Sequence, residues 1–295
     1  MVIAKTTEDL FDAETLRRFE ASALLARRAA MTPGRGERRG HHRGSSPEIV
    51  DYRAFVSGDD PRGIDWNAYA RWRQLVIRLR VEEENLPVYF LLDCSRSMQA
   101  GTPPKFDLAR RIVGGLAYVA LGNMDRAEFV PLAGGGAGFS APAMNGFHRW
   151  LEALAACPLQ EEPVSLEDGV RSWLSKRPRR GLAILIGDGL GLAATDARAA
   201  LERLVHAGQE PAMIQTLSRD DLEPPPMGEY DLQDCESGAL RRVIVDAASA
   251  SAFARMRDDF LQSLEQTCRQ RGLPFLRVDA AEEIGAVLSR VLAWR

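Results

Sequence analysis

The chain has 295 residues, 45% of them hydrophobic and 27% charged, with a formal net charge of −3, a balance that calls for neither nucleic acid nor a membrane surface as partner. The length allows one or two domains with a sizeable core, and the longest apolar runs, residues 88–92 and 182–186, are far too short to span a bilayer. Charge within the first five residues argues against a secretory signal. Cys94, Cys157, Cys235 and Cys268 are scattered without Cys-x-x-Cys spacing, so a reduced, cytoplasmic protein is expected.

Residues 8–30 carry Leu10, Phe11, Leu16, Phe19, Ala23 and Leu24 three to five apart among charges, which predicts a helix. It would pack on its own domain or, alternatively, meet a membrane surface or a partner. Pro33 stops it. A basic loop follows with Arg35, Arg38, Arg39, His41, His42 and Arg43, without the interleaved aromatics of a nucleic-acid arm or a second ligand cluster for a metal. Gly58 and the Asp60-Pro61 pair signal a turn, and Asp65 is placed to cap a short helix through Arg71. Residues 75–81 alternate as a half-exposed strand.

The stretch Val-Tyr-Phe-Leu-Leu-Asp-Cys-Ser-Arg-Ser-Met, residues 88–98, organises the rest. Its five apolar residues suit a strand buried on both faces of a parallel sheet. Ligands gather beyond the carboxyl ends of such strands, so Asp93, Ser95 and Ser97 fall on a loop where ligands bind. One carboxylate and two hydroxyls are all oxygen donors, a set that suits magnesium or manganese. The bland alternative is a turn whose hydroxyls cap the next helix.

Residues 106–121 predict a buried-face helix stopped by Gly122, and residues 127–132 a strand. The run Gly134-Gly135-Gly136 lacks the Gly-Lys-Ser/Thr of a nucleotide loop and reads as a flexible connection. Helices are expected over 143–156 and 166–175, with His148 at the surface. The apolar strand 182–186 runs into Gly187-Asp188-Gly189, so a second buried strand delivers an acid to the same edge. A helix over 195–206, a strand over 212–217, a hairpin over 230–246, a helix over 247–271, a strand over 274–278 and a helix over 281–294 complete the pattern. The hairpin acids Asp231, Asp234 and Glu236 read as solvated, and the long helix carries a stripe of Phe253, Met256, Phe260, Leu264 and Cys268. Alternating strands and helices predict an α/β fold, a doubly wound mostly parallel sheet of Rossmann type.

The Asp93-x-Ser95-x-Ser97 loop, with the later Leu-Ile-Gly-Asp188-Gly, resembles the metal-ion-dependent adhesion site (MIDAS) of von Willebrand factor A-type domains. The upstream Gly58-Asp59-x-Pro61-Arg62-x-Ile64-Asp65-Trp66, with Ala70-Arg71, looks like the bacterial family called domain of unknown function 58, DUF58. The similarity runs from about residue 34 onward. It implies a von Willebrand factor A-like domain over residues 88–295 with a hairpin inserted near 228–246, preceded by an N-terminal extension over 1–87 packed on the core. It also implies a magnesium or manganese ion bound directly by Ser95 and Ser97, with Asp93 and Asp188 near it, partly through water. Where the adhesion-site pattern has a threonine, Ser165 is the best-placed hydroxyl, and it reads equally well as the N-cap of the following helix.

Few carboxylates leave a bound dication under-neutralised, so an acidic group from elsewhere would complete it. A non-enzymatic interaction module is therefore expected. Members of the family are typically encoded beside MoxR-type AAA+ ATPases, which implies such an ATPase as partner and chaperone-like assembly or activation of a client protein. The alternative is a magnesium-dependent phosphatase of the haloacid-dehalogenase kind, with Asp93 as nucleophile; that chemistry wants an acid two residues on, where this chain has Ser95.

Overall fold

The structure is a computed structural model, and it describes residues 6–31, 49–56, 59, 61, 64–80, 87–132, 138–160, 165–190 and 196–294. The basic loop with Arg35, Arg38, Arg39, His41, His42 and Arg43, the turn residues Gly58, Asp60, Arg62 and Gly63, and the run Gly134–136 lie outside them. The chain divides into two compact units, Met1–Ala29 with Leu86–Arg295, and Ala30–Asn85. The N-terminal helical segment thus groups with the α/β unit, a different division from a single boundary at residue 87.

In chain order the elements are α1 (Thr7–Leu10), α2 (Ala13–Met31), β1 (Ile49–Ala54), α3 (Trp66–Trp72), β2 (Val76–Arg80), β3 (Pro87–Asp93), α4 (Lys105–Gly122), β4 (Arg126–Leu132) and β5 (Phe139–Ala141). Then come α5 (Phe147–Ala155), α6 (Leu166–Ser175), β6 (Leu182–Gly187), α7 (Asp196–His206), β7 (Glu210–Leu217), α8 (Arg219–Leu222), β8 (Gly228–Gln233), β9 (Leu240–Val245), α9 (Ala247–Gln270), β10 (Phe275–Asp279) and α10 (Ile284–Leu292).

The larger unit is built on a six-stranded sheet in the order β10-β7-β6-β3-β4-β5. All neighbours are parallel except β5, which runs antiparallel to β4. Every residue of β3 is buried, as a strand covered on both faces requires. The alternation is visible in its side chains: Val88, Phe90 and Leu92 enter one core with Phe106, Ile112, Trp150 and Leu288, while Tyr89 and Leu91 enter the other with Trp173, Leu201 and Leu264. From β3 the chain goes to β4 on one side and later returns to β6 on the other. The order therefore reverses between β3 and β6, which opens a crevice at their carboxyl ends.

The predicted helix over 8–30 is two helices, because Asp12 caps the second through the Thr15 amide at 2.8 Å. Its packing reading holds at Leu10, Phe11, Phe19 and Ala23, which are buried, while Leu16 and Leu24 are exposed. On α9 the apolar stripe is covered only toward its C-terminus: Leu264, Thr267 and Cys268 are buried, and Met256 is 73% exposed. The inserted hairpin forms as expected, β8 pairing antiparallel with β9.

In the smaller unit β1 pairs antiparallel with β2, and Asp65 caps α3 by accepting from the amides of Asn67 and Ala68 at 2.9 and 3.1 Å. Arg53 grips Asp59 through two bonds of 2.7 Å, and Asp59 also accepts the Val56 amide. The Arg53 guanidinium holds the Asp59 carboxyl down at about 2, so the pair staples the turn after β1.

Candidate functional site

Parallel pairing sets Leu92 opposite Ile186, so the two strands end side by side and Asp93 leaves β3 where Gly187 leaves β6. A methyl group on Gly187 would lie 2.5 Å from the Asp93 Cβ and 2.7 Å from its Oδ2, so the carboxylate occupies space that only glycine leaves free. Asp93 and Asp188 are both buried, at 2% and 0% exposure. Burial, then the charge of Asp188, pushes the Asp93 carboxyl up to about 7; the Ser95 amide and hydroxyl oppose the rise, and the charge of Glu236 adds to it.

The loop after β3 holds its hydroxyls ready. Asp93 Oδ1 accepts the Ser95 amide at 2.9 Å, which folds the loop back over the strand end. Ser95 begins a short 3₁₀ turn yet makes no capping bond with its side chain; its Oγ lies 2.9 Å from the Oγ of Ser97. The capping alternative therefore fails at Ser95. The Ser97 amide donates to Glu236 Oε1 at 2.8 Å, across 139 positions of sequence.

Beside this group sits a buried cation. Lys105 is fully buried, and its Nζ donates to Asp188 Oδ2 at 2.8 Å and to Asp221 Oδ1 at 2.9 Å. Burial works against its charge, but Asp188 and Asp221 outweigh it and hold the ammonium above the usual lysine value. Asp221 is fixed by the Ser218 amide and hydroxyl at 2.7 and 2.8 Å, so the turn after β7 completes the cluster. Asp188 Oδ1 accepts the Leu190 amide at 2.9 Å, and the buried Gln215 donates to its carbonyl.

Of the five residues expected at the site, Asp93, Ser95, Ser97 and Asp188 gather at one sheet edge. Ser165 caps α6, its hydroxyl accepting the Asp168 amide at 3.0 Å, and among the described residues no hydrogen bond joins it to Asp93, Ser95 or Ser97. Sequence reasoning missed Lys105, Asp221 and Glu236. A signal existed for Lys105: it heads α4, where a cation opposes the helix dipole and needs acids elsewhere. None existed for Glu236, whose partner is set by tertiary folding alone.

The site offers only oxygen: two buried carboxylates, two adjoining hydroxyls and Glu236. Lys105 answers Asp188 and Asp221, and among the described residues no cation pairs with Asp93 or Glu236. Among the described residues no three His, Cys, Asp or Glu side chains cluster tightly enough to hold a metal by themselves, so any ion here depends on the serine hydroxyls. The donor chemistry fits a hard dication with ligand positions left open.

Fold and site together define an α/β domain with a cluster of oxygen-bearing side chains at the switch point of its sheet. The chain belongs to the family described as protein of unknown function DUF58, whose model matches residues 51–265. An uncharacterized protein of Mycobacterium tuberculosis is 30% identical over 259 residues, covering 85% of this chain and 80% of that protein. Among solved structures, an aerotolerance-related membrane protein of Bacteroides fragilis is similar with a TM-score of 0.41 at 16% identity, over 70% of this chain and 96% of that one. The manganese-loaded TRAP protein of Plasmodium vivax gives 0.33 at 18% identity, over 45% and 57%. At these scores neither likeness bears on the site. Among the described residues no helix is long and apolar enough to cross a membrane.

Proposed function

We propose that the chain is a non-enzymatic, metal-dependent protein-interaction module. Ser95 and Ser97 hold magnesium or manganese with Asp93 and Asp188 near it, and an acidic side chain of a partner completes the coordination. The observation that carries this reading is the convergence of Asp93 and Asp188 at one sheet edge beside paired hydroxyls that cap nothing. When bound, the ion would supply a concentrated positive charge for the partner's carboxylate.

The chain's own residues supply the rest. Asp93 orders the loop through the Ser95 amide, Gly187 makes room for it, and Lys105 holds Asp188 in place. The resemblance to a family encoded beside MoxR-type AAA+ ATPases makes such an ATPase the partner, acting with this chain in assembly or activation of client proteins. The test is binding of the purified chain to the MoxR-type ATPase of the same genome, with magnesium and with chelator. Binding is expected to need magnesium and to weaken at least tenfold in Ser97→Ala; equal binding under all conditions would remove the proposal.

A further inference from the structure

The β8–β9 hairpin brings an acid of this chain onto the serine loop, the same loop proposed above to receive a partner's acid. Of residues 231–240, Glu236 alone is not exposed. Among the described residues, its bond with the Ser97 amide at 2.8 Å is the one hydrogen bond from residues 228–239 to anything outside the hairpin. The neighbouring Cys235 lines a cavity of about 1040 Å³, which begins beside the serine loop at Arg96 and Gln99 and extends over Phe106, Arg110 and Leu159. The tip thus sets an acid on the loop and a small, weakly polar side chain at the mouth of a largely apolar cavity.

The tip is built to present that pair. Asp234 Oδ1 accepts from the amides of Glu236 and Ser237 at 3.0 and 2.6 Å and from the Ser237 hydroxyl at 2.8 Å, while Gly238 turns the chain at a φ of +71°. The rest of the hairpin is loosely held. Its strands are exposed on both faces except for Val245 and half-buried Tyr230 and Val243, and Leu240 and Ile244 are 73% and 62% exposed. A lone two-stranded hairpin is marginal in water, so this one can lift away without unmaking the core.

We infer that the hairpin tip Cys235-Glu236 is a built-in ligand of the serine loop, and that the loop's protein partner displaces it with an exposed acidic residue preceded by a small apolar one. This rests on the reading of that loop as the partner-binding site. A tethered carboxylate competes at an effective concentration on the order of millimolar, so a free acid binds well only when the tether is cut or when its neighbours add contacts in the cavity.

The test uses the full chain and the Glu236→Ala variant, with a synthetic hairpin of residues 228–245 as probe in trans, with and without Mn²⁺. Two readouts are taken: fluorescence polarisation of the labelled hairpin, and hydrogen exchange at the Ser97 amide with chelator present. In Glu236→Ala, exchange at Ser97 should accelerate at least tenfold, and the hairpin should bind at least tenfold more tightly than to the wild type. A probe carrying Gln in place of its Glu should not bind. Unchanged Ser97 exchange, or equal hairpin affinity for the two proteins, would overturn the inference. If both shift as expected while Mn²⁺ binds neither protein, the built-in ligand stands and the metal reading alone falls.

Discussion

Replacing Lys105 by methionine removes a fully buried cation held between two carboxylates and leaves the apolar stem nearly intact. Asp188 is fully buried and Asp221 has a side chain only 11% exposed, so neither charge recovers its hydration from water when Nζ is gone. Breaking a buried ion pair from one side costs about 3–5 kcal/mol, because the abandoned charge stays desolvated. In a domain of about 150–250 residues each kcal/mol lowers Tm by roughly 2–4 °C, so a fall of about 6–20 °C is expected by circular dichroism. In an Asp188→Asn background the same replacement should cost at least about 1 kcal/mol less, since the charge it would strand has been removed. A Lys105→Met variant within about 0.5 kcal/mol of wild type, or costs that simply add, would refute the buried cluster as the support of Asp188.

Asp93 gives the site a pH signature. An unfolded aspartate titrates near about 3.9, and in the folded chain burial and Asp188 raise it to about 7. The folded state therefore holds that proton more tightly, and its contribution to stability is full below about pH 4 and is lost as pH rises through about 7. With chelator present, Asp93→Asn should raise Tm at pH 8, a gain that disappears by pH 4; an equal difference at both pH values would contradict the shift. Ser165→Ala should cost about 1 kcal/mol as a lost N-cap and leave Mn²⁺ affinity within twofold, whereas a large loss of affinity would make Ser165 a ligand. Purified protein should release no phosphate from an aryl phosphate with magnesium; turnover abolished in Asp93→Asn would establish the phosphatase reading instead.

The fold was legible because its signals are redundant. The apolar runs of β3 and β6 and the stripes of α4 and α6 each state what is buried, and the structure places these elements within a residue or two of expectation. Stripes do not say how far the covering surface extends, so Phe253 and Met256 on α9 looked alike to Leu264 although only the last is buried. Half the site was legible too, since Asp93 and Asp188 each close an apolar strand. The other half lay in contacts that no local pattern encodes. Lys105 meets Asp188 across 83 positions and Asp221 across 116, and Glu236, an acid in a turn, reads as solvated until the hairpin is docked. The Arg53–Asp59 staple was likewise hidden, since no local pattern says that the two residues pair.

The most direct measurement is isothermal titration of Mn²⁺ into the wild-type chain and into Asp93→Ala, with circular dichroism verifying that both are folded. The account predicts saturable binding to the wild type and none to Asp93→Ala. Equal affinity in the two proteins, or no binding to either, would contradict a metal held at the meeting of β3 and β6.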